Sequence, residues 1–199
     1  MSTRYVRRFS RSERTFHWVN AAFFLYLLAT GLVLYLPRLS ALFGRRPLIK
    51  DLHFWGGIGW VAALAAVALL GDTRGLLRTM RELETLDHRR FNPGQKVNAI
   101  LNAAITLLFV ASGLLLWLGE RDTRFRLQNT VTLHDVLMLG ALALLAGHLY
   151  LAVIHPATRH ALRGMTRGTV SEDWARRHHP RWEVPPDPGE GTTTGAART

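Results

Sequence analysis

Four long apolar runs dominate the sequence and constrain what it can fold into. They cover residues 16–36, 52–71, 97–118 and 131–154. A helix needs ~20 apolar residues to cross the hydrocarbon core of a bilayer, and each run meets that length. Because only helices and closed barrels satisfy every backbone polar group in lipid, the runs predict an all-α membrane protein, built as a bundle of four transmembrane helices.

The charge balance agrees with a membrane location. The 199 residues include 25 Lys and Arg but only 14 Asp and Glu, which gives a formal net charge of +11. Such a charge can indicate nucleic-acid binding, but basic loops between apolar runs are typical of membrane proteins. We therefore expect a lipid bilayer and no nucleic acid as a partner. The chain has no cysteine, which excludes disulfides, iron–sulfur ligation and covalent haem attachment through cysteine.

Lys and Arg are unevenly distributed among the loops. Eighteen of the 25 lie in the N-terminus, in the loop between the second and third runs, and in the C-terminal tail, which share one side of a four-span protein. The positive-inside rule places that side in the cytoplasm. We predict a multi-pass protein of the bacterial inner membrane with both termini in the cytoplasm. The first run is too long for a cleavable signal peptide, and no cleavage site of small residues follows it.

The C-terminal tail divides into two parts. Residues 157–179 are predicted to hold a short cytoplasmic surface helix with Ser171 as its N-cap. Residues 184–199 are rich in Pro, Gly and Thr and are predicted to be disordered. We identify no internal repeat. By its length, the chain is expected to form one membrane domain over residues 1–183.

Four histidines lie at or inside the apolar runs. Successive runs cross the membrane in opposite directions, which places two of them near the cytoplasmic face and two near the opposite face. We call His17 and His148 the inner pair, and His53 and His134 the outer pair. The fourteen residues from His134 to His148 rise ~21 Å and return both imidazoles to one helix face. Because haem b is held by two opposed imidazoles from different helices, the pairs predict two b haems stacked across the membrane.

Three different roles for membrane histidines fit this pattern less well. Histidines in membrane helices also form interhelical hydrogen bonds. A zinc site needs three or four converging ligands, and the sequence shows no such cluster. A proton pathway is expected to include acids, but Asp135 is the only acid within a run. Of the remaining histidines, His155 is at the inner edge of the fourth run, and the others are expected to be solvated: His88, His160, His178 and His179.

Glycines in the runs are compatible with a large cofactor. Gly31 lies fourteen residues after His17, which is the depth expected for the outer haem. A glycine at that level would let the edge of a macrocycle approach the helix backbone. The signal is weak by itself, since glycine is common in membrane helices.

Three short motifs make the chain resemble a known family. The first is FHW at 16–18, the second is FNPGQK at 91–96, and the third is a tail pattern at 164–182, GM–GxVSxxWAxxHHPxW, in which x is any residue. With the four histidines, they are similar to the gamma subunit of respiratory formate dehydrogenases, a membrane cytochrome b. The similarity extends from about residue 4 to residue 183. The histidines alone are shared with cytochrome b subunits of nickel–iron hydrogenases and related reductases.

The resemblance implies a role in electron transfer. It implies two b haems whose iron is bound by His17 with His148 and by His53 with His134. It implies electrons arriving from an iron–sulfur beta subunit, itself served by a molybdenum or tungsten catalytic alpha subunit, and leaving to membrane quinone. The quinone site would involve Asn92 and Gly94 beside His148. Formate chemistry would belong to the alpha subunit, so this chain is expected to hold no catalytic residue.

Alternative functions remain compatible with the sequence. Without the resemblance, Asn92–Pro93–Gly94 is best interpreted as an ordinary turn before a helix. The chain could also be the cytochrome b subunit of a hydrogenase, a stand-alone di-haem membrane oxidoreductase, or a membrane anchor without haem.

Overall fold

Long helices form most of the molecule, in a computed structural model that describes residues 3–85 and 89–184. Four of these helices are long and apolar enough to cross a membrane, so the predicted all-α, four-span architecture is confirmed. They are α1 (Arg11–Tyr35), α3 (Arg46–Leu70), α5 (Pro93–Arg121) and α6 (Thr130–Leu149), which continues through a π-helical turn, Tyr150–Ile154.

The long helices begin before the apolar runs that predicted them. Ser10 caps α1 and Asn92 caps α5, each in a reciprocal capping box with a Glu or Gln three residues later. Such a box satisfies two backbone N–H groups that the first helical turn cannot satisfy itself. Both helices therefore start in polar sequence and carry one or two turns beyond their apolar segments.

Four shorter helices occupy the described loops and tail. They are α2 (Pro37–Phe43), α4 (Thr73–Glu84), α7 (Leu162–Arg167) and α8 (Glu172–His178). Ser171 caps α8 by accepting a hydrogen bond from the Trp174 backbone N–H, as predicted. However, α8 is not a plain surface helix, because its Trp174 and Ala175 are buried. The tail predicted to be disordered lies outside the described residues, except for Val184.

A small antiparallel sheet joins the two ends of the chain. Strand β1 (Tyr5–Arg7) pairs with β2 (Thr169–Ser171), with Val6 opposite Val170. Val6 and Val170 pack with Trp174 and Ala175 in a buried cluster. This sheet was not predicted, because three-residue strands are too short to show a period-two pattern. The sheet and α7 lie at the same end of the bundle as the start of α1.

The bundle consists of two helix pairs. α1 packs along α3, and α5 packs along α6, whereas contacts between the two pairs are few. Within the first pair, the buried Trp60 indole donates a hydrogen bond to Asn20 Oδ1. A Cβ at Gly56 would overlap the Tyr26 ring, so glycine permits the close approach of α1 and α3. Most apolar side chains of the long helices are exposed, as expected for helices surrounded by lipid.

Candidate functional site

The four membrane histidines lie in two close pairs. The imidazole centroids of the outer pair, His53 on α3 and His134 on α6, are 6.2 Å apart with an interplanar angle of 76°. The centroids of the inner pair, His17 on α1 and His148 on α6, are also 6.2 Å apart, with an angle of 57°. The structure thus brings together the partners that their depths in the membrane predicted. α6 contributes one histidine to each pair.

This separation fits two imidazoles bound to one metal ion. A metal–imidazole bond is about 2 Å, and the ring centroid lies about 1 Å beyond the nitrogen, so opposed ligands place their centroids ~6 Å apart. In residues 3–85 and 89–184, no group of three or more His, Cys, Asp or Glu could hold a metal ion. Two protein ligands per metal suit haem iron, because the macrocycle supplies the other four nitrogens. The residues present therefore fit haem better than a bare ion.

Each outer histidine contacts a hydroxyl on a neighbouring helix. His53 Nδ1 is 2.8 Å from Thr30 Oγ1 of α1, and His134 Nδ1 is 2.8 Å from Ser112 Oγ of α5. Ser112 is almost completely buried. Neither hydroxyl could be identified from the sequence, because a Ser or Thr inside an apolar run usually bonds to its own helix backbone.

A glycine follows each of these hydroxyl residues. A Cβ at Gly31 would lie 3.4 Å from His53 Cε1, and one at Gly113 would lie 3.6 Å from His134 Cε1. The glycines therefore let the imidazoles lie directly against the α1 and α5 backbones. Gly31 was expected to admit the edge of the outer haem; in the structure its neighbours are His53 and the Met138 sulfur.

An aromatic ring and a π-helical turn lie next to the inner pair. The His17 ring meets the Trp18 ring edge-on at 5.2 Å, and Trp18 Nε1–H donates a hydrogen bond to the Met165 carbonyl, which ties α1 to the tail. α6 changes to a π-helical turn two residues after His148. π-Helical turns are rare and occur frequently at functional sites. This turn was not predicted, because no sequence pattern distinguishes it from regular helix.

The residues predicted to bind quinone lie at the N-terminus of α5. Asn92 Oδ1 accepts a hydrogen bond from the Gln95 backbone N–H, and Gln95 Oε1 accepts one from the Asn92 backbone N–H. Gly94 is exposed in the first turn of the helix. Asn92 therefore has a structural role as a helix cap, in which its carbonyl oxygen is used. Its NH₂ group is the part of the side chain that can donate to a ligand.

A network of charged side chains, most of them buried, holds the segment that precedes α5. Arg90 Nη1 contacts Glu13 Oε1 at 2.8 Å, Arg90 Nε contacts Glu82 Oε2 at 2.9 Å, and Arg90 also donates to the Arg8 carbonyl. Lys96 is buried, and its Nζ donates to the Glu82 and Thr85 carbonyls. The network connects α1, α4 and the start of α5. It was not predicted, because the burial of a loop charge depends on tertiary contacts.

His179 is part of the same region and was wrongly expected to be solvated. It is 2% exposed, and Arg8 Nη2 donates a hydrogen bond to its Nε2 at 3.1 Å. Burial lowers the pKa of Arg8 to about 10, with a further contribution from Arg90. Burial, together with the positive charge of Arg8, lowers the pKa of His179 to about 4. His179 is therefore neutral at physiological pH and links the N-terminus to the tail. His160 and His178 are exposed as expected, and His88 lies outside the described residues.

Comparisons with known proteins show which family the sequence matches and which relatives it resembles. The family described as prokaryotic cytochrome b561 matches residues 8–168. The chain is 25% identical over 189 residues to the nitrate-inducible formate dehydrogenase cytochrome b556(Fdn) subunit of Escherichia coli, covering 85% of this chain and 86% of the relative. It is 24% identical over 195 residues to the E. coli formate dehydrogenase cytochrome b556(fdo) subunit, covering 89% and 91%. It is 26% identical over 201 residues to the formate dehydrogenase cytochrome b556 subunit of Haemophilus influenzae, covering 90% and 82%.

Proposed function

The chain belongs to the prokaryotic cytochrome b561 family, and we propose that it is the di-haem cytochrome b subunit of a formate dehydrogenase complex. Family membership implies haem b, and the four apolar helices make the chain a membrane protein of the bacterial type. The names of the relatives, which match along most of their length, support the assignment to formate dehydrogenase. In this role the chain moves electrons between partners and performs no formate chemistry.

The two histidine pairs are the observation on which the proposal rests. His53 with His134 would hold one b haem, and His17 with His148 would hold the other. When bound, the haems supply one-electron redox centres near the two faces of the membrane. The protein contributes the ligands, the apolar surroundings and the distance between the two levels, which α6 sets through the spacing of His134 and His148.

We propose that electrons move from the outer pair to the inner pair. We propose that an iron–sulfur beta subunit docks near the outer pair, and that a molybdenum or tungsten alpha subunit supplies the electrons to it. Both termini would be cytoplasmic, in agreement with the distribution of Lys and Arg. The chain would thereby conduct electrons from the outer side of the membrane to the cytoplasmic side.

Quinone reduction is proposed at the inner pair. A quinone takes up two electrons and two protons to form a quinol, so a site that protons can reach from the cytoplasm suits it. Asn92 and Gly94 at the start of α5 would contact the quinone beside His148, with the Asn92 NH₂ group as hydrogen-bond donor. Arg90 and Lys96, on either side of Asn92, are anchored by contacts to Glu13 and to the Glu82 carbonyl, which would position Asn92 for this role.

Spectroscopy of the purified complex tests the proposal. A reduced-minus-oxidised visible spectrum should show two b-type haems per chain with two imidazole ligands each, and His148→Ala should remove one of them. A colourless preparation, or two haems retained in His148→Ala, would contradict it. A cytochrome b subunit of a hydrogenase would give the same spectra. Subunits that copurify with the chain distinguish the two: a molybdenum or tungsten protein supports our assignment, and a nickel–iron protein contradicts it.

A further inference from the structure

The hydroxyls of Thr30 and Ser112 occupy equivalent positions in the two helix pairs. Thr30, on α1, contacts the histidine of the paired helix α3, and Ser112, on α5, contacts the histidine of the paired helix α6. Each hydroxyl precedes a glycine that lies against the same imidazole. The two arrangements meet across the bundle, where His53 and His134 face each other at 6.2 Å.

An internal repeat underlies this equivalence. Residues 20–36, NAAFFLYLLATGLVLYL, align without a gap with residues 102–118, NAAITLLFVASGLLLWL, and nine of the seventeen positions are identical. Thr30 aligns with Ser112, and Gly31 aligns with Gly113. The expectation of no internal repeat was wrong, because Ala, Leu and Gly are common in any membrane helix and mask such a similarity. The two copies make equivalent contacts in the structure, which supports the repeat.

The hydrogen bonds define the protonation of both outer histidines. A hydroxyl has one proton to donate. Ser112 Oγ donates it to the Leu108 carbonyl at 2.6 Å, and Thr30 Oγ1 donates it to the Tyr26 carbonyl at 3.0 Å. Each oxygen is then left to accept, so each Nδ1 must carry the proton that it shares. The lone pair is therefore on Nε2, which is the nitrogen available to bind iron.

We propose that Ser112 and Thr30 are positioning residues that lower the reduction potential of the outer haem relative to that of the inner haem. The inference rests on the proposed di-haem function. A hydrogen-bond acceptor at Nδ1–H makes an imidazole a more basic ligand, and a more basic ligand favours the ferric over the ferrous state. Among the described residues, the histidine rings that the structure shows hydrogen-bonded to a hydroxyl are those of His53, His134 and His155, and neither inner histidine is among them. The difference makes electron transfer from the outer level to the inner level more favourable.

The two hydroxyls are expected to differ in their effect on the potential of the outer haem. Ser112 is the partner that the structure shows for His134 Nδ1. Ser112 is almost completely buried, whereas Thr30 is only partly buried, so the bond from Ser112 lies in surroundings of lower dielectric constant and acts more strongly on its imidazole. Ser112→Ala should therefore have the larger effect and Thr30→Val the smaller one. Both replacements change little volume: Ser112→Ala removes a single oxygen atom, and Thr30→Val replaces the hydroxyl with a methyl group.

Potentiometric titration of the visible haem bands in the purified complex tests the proposal. The wild-type complex should show two midpoints, and His53→Ala identifies the outer one as the signal that is lost. We expect Ser112→Ala to shift the outer midpoint to higher potential and to leave the inner midpoint unchanged. Ser112→Thr, which keeps the hydroxyl, should restore the wild-type value. Thr106→Val, which removes a hydroxyl from the same helix six residues earlier, should have no effect on either midpoint.

The possible results distinguish a failure of this inference from a failure of the proposed di-haem function. Two haems with an unchanged outer midpoint in Ser112→Ala, or an equal shift of both midpoints, would overturn the inference and leave the proposed function standing. A complex without b-type haem would overturn both. If Ser112→Ala loses the outer haem, retention in Ser112→Thr supports the positioning role, whereas loss in Ser112→Thr as well shows a packing effect and overturns it.

Discussion

His17 and His148 lie with their imidazole centroids 6.2 Å apart, at the end of the bundle where the two termini of the described chain meet. One belongs to the first long helix and the other to the last, so the contact closes the bundle. It also places the inner pair beside the tail, because Trp18, next to His17, donates a hydrogen bond to Met165.

Replacing His148 should remove one haem selectively. If His17 and His148 hold the inner haem as proposed, the variant would leave that haem with one histidine and would not touch His53 and His134. We expect His148→Ala to reduce haem content per chain by about half, measured by the haem absorbance of the purified subunit. His155→Ala is the matched control: His155 lies seven residues later, contacts Thr158, and should keep both haems. An equal loss in both variants would indicate general unfolding.

Two variants of Asn92 should separate its capping role from quinone binding. Asn92→Ala removes the N-cap of α5 and should lower the free energy of unfolding by about 1 kcal/mol. It should also impair quinone reduction. Asn92→Ser keeps a capping oxygen but lacks the NH₂ donor. We expect it to retain the thermal stability of the wild-type protein and to raise the KM for a soluble quinone analogue. A wild-type KM in Asn92→Ser would show that Asn92 is only a cap.

The tail contact should weaken in acid. The pKa of His179 is about 4 in the folded protein, below its ordinary value of 6.5. The unfolded chain therefore binds a proton first as the pH falls, so the stabilisation from His179 is complete above 6.5 and is lost between 6.5 and about 4. Unfolding of the detergent-solubilised protein as a function of pH measures this loss. His179→Gln should flatten the dependence in that range, and His160→Gln, at an exposed position, should leave it intact.

Arg90 should contribute strongly to stability. It is largely buried and pairs with Glu13 and Glu82, so its removal leaves the buried Glu13 carboxylate without this neutralising positive charge. We expect Arg90→Gln to destabilise the protein by about 3 kcal/mol, measured by chemical unfolding in detergent. Arg89→Gln serves for comparison, because the Arg89–Glu183 pair is exposed at 3.9 Å and such pairs contribute at most ~1 kcal/mol. Equal effects of the two variants would show that the burial of Arg90 is unimportant.

Much of the architecture could be predicted from the residues alone, because its determinants are local. The length of an apolar run decides whether a helix spans the bilayer, so the four spans were correctly predicted. Alternating direction then assigns a depth to each histidine, and depth is sufficient to match His17 with His148 and His53 with His134. The resemblance to formate dehydrogenase subunits was carried by short loop motifs, which are also local.

The remaining features depend on contacts between residues that are distant in the chain. No local pattern shows that β1 pairs with β2, that Arg90 is buried, or that His179 lies against Arg8 and not in solvent. Ser112 is the clearest example. In the sequence it is one polar residue in an apolar helix, whereas in the structure α5 packs against α6 and its Oγ lies 2.8 Å from His134 Nδ1. Hydropathy and chain direction were enough to predict the four spans and to match the histidines in pairs. Helix packing decided which side chain lies next to each histidine. A hydrogen bond depends on the distance between atoms of two helices, and the hydropathy of a sequence does not contain that distance.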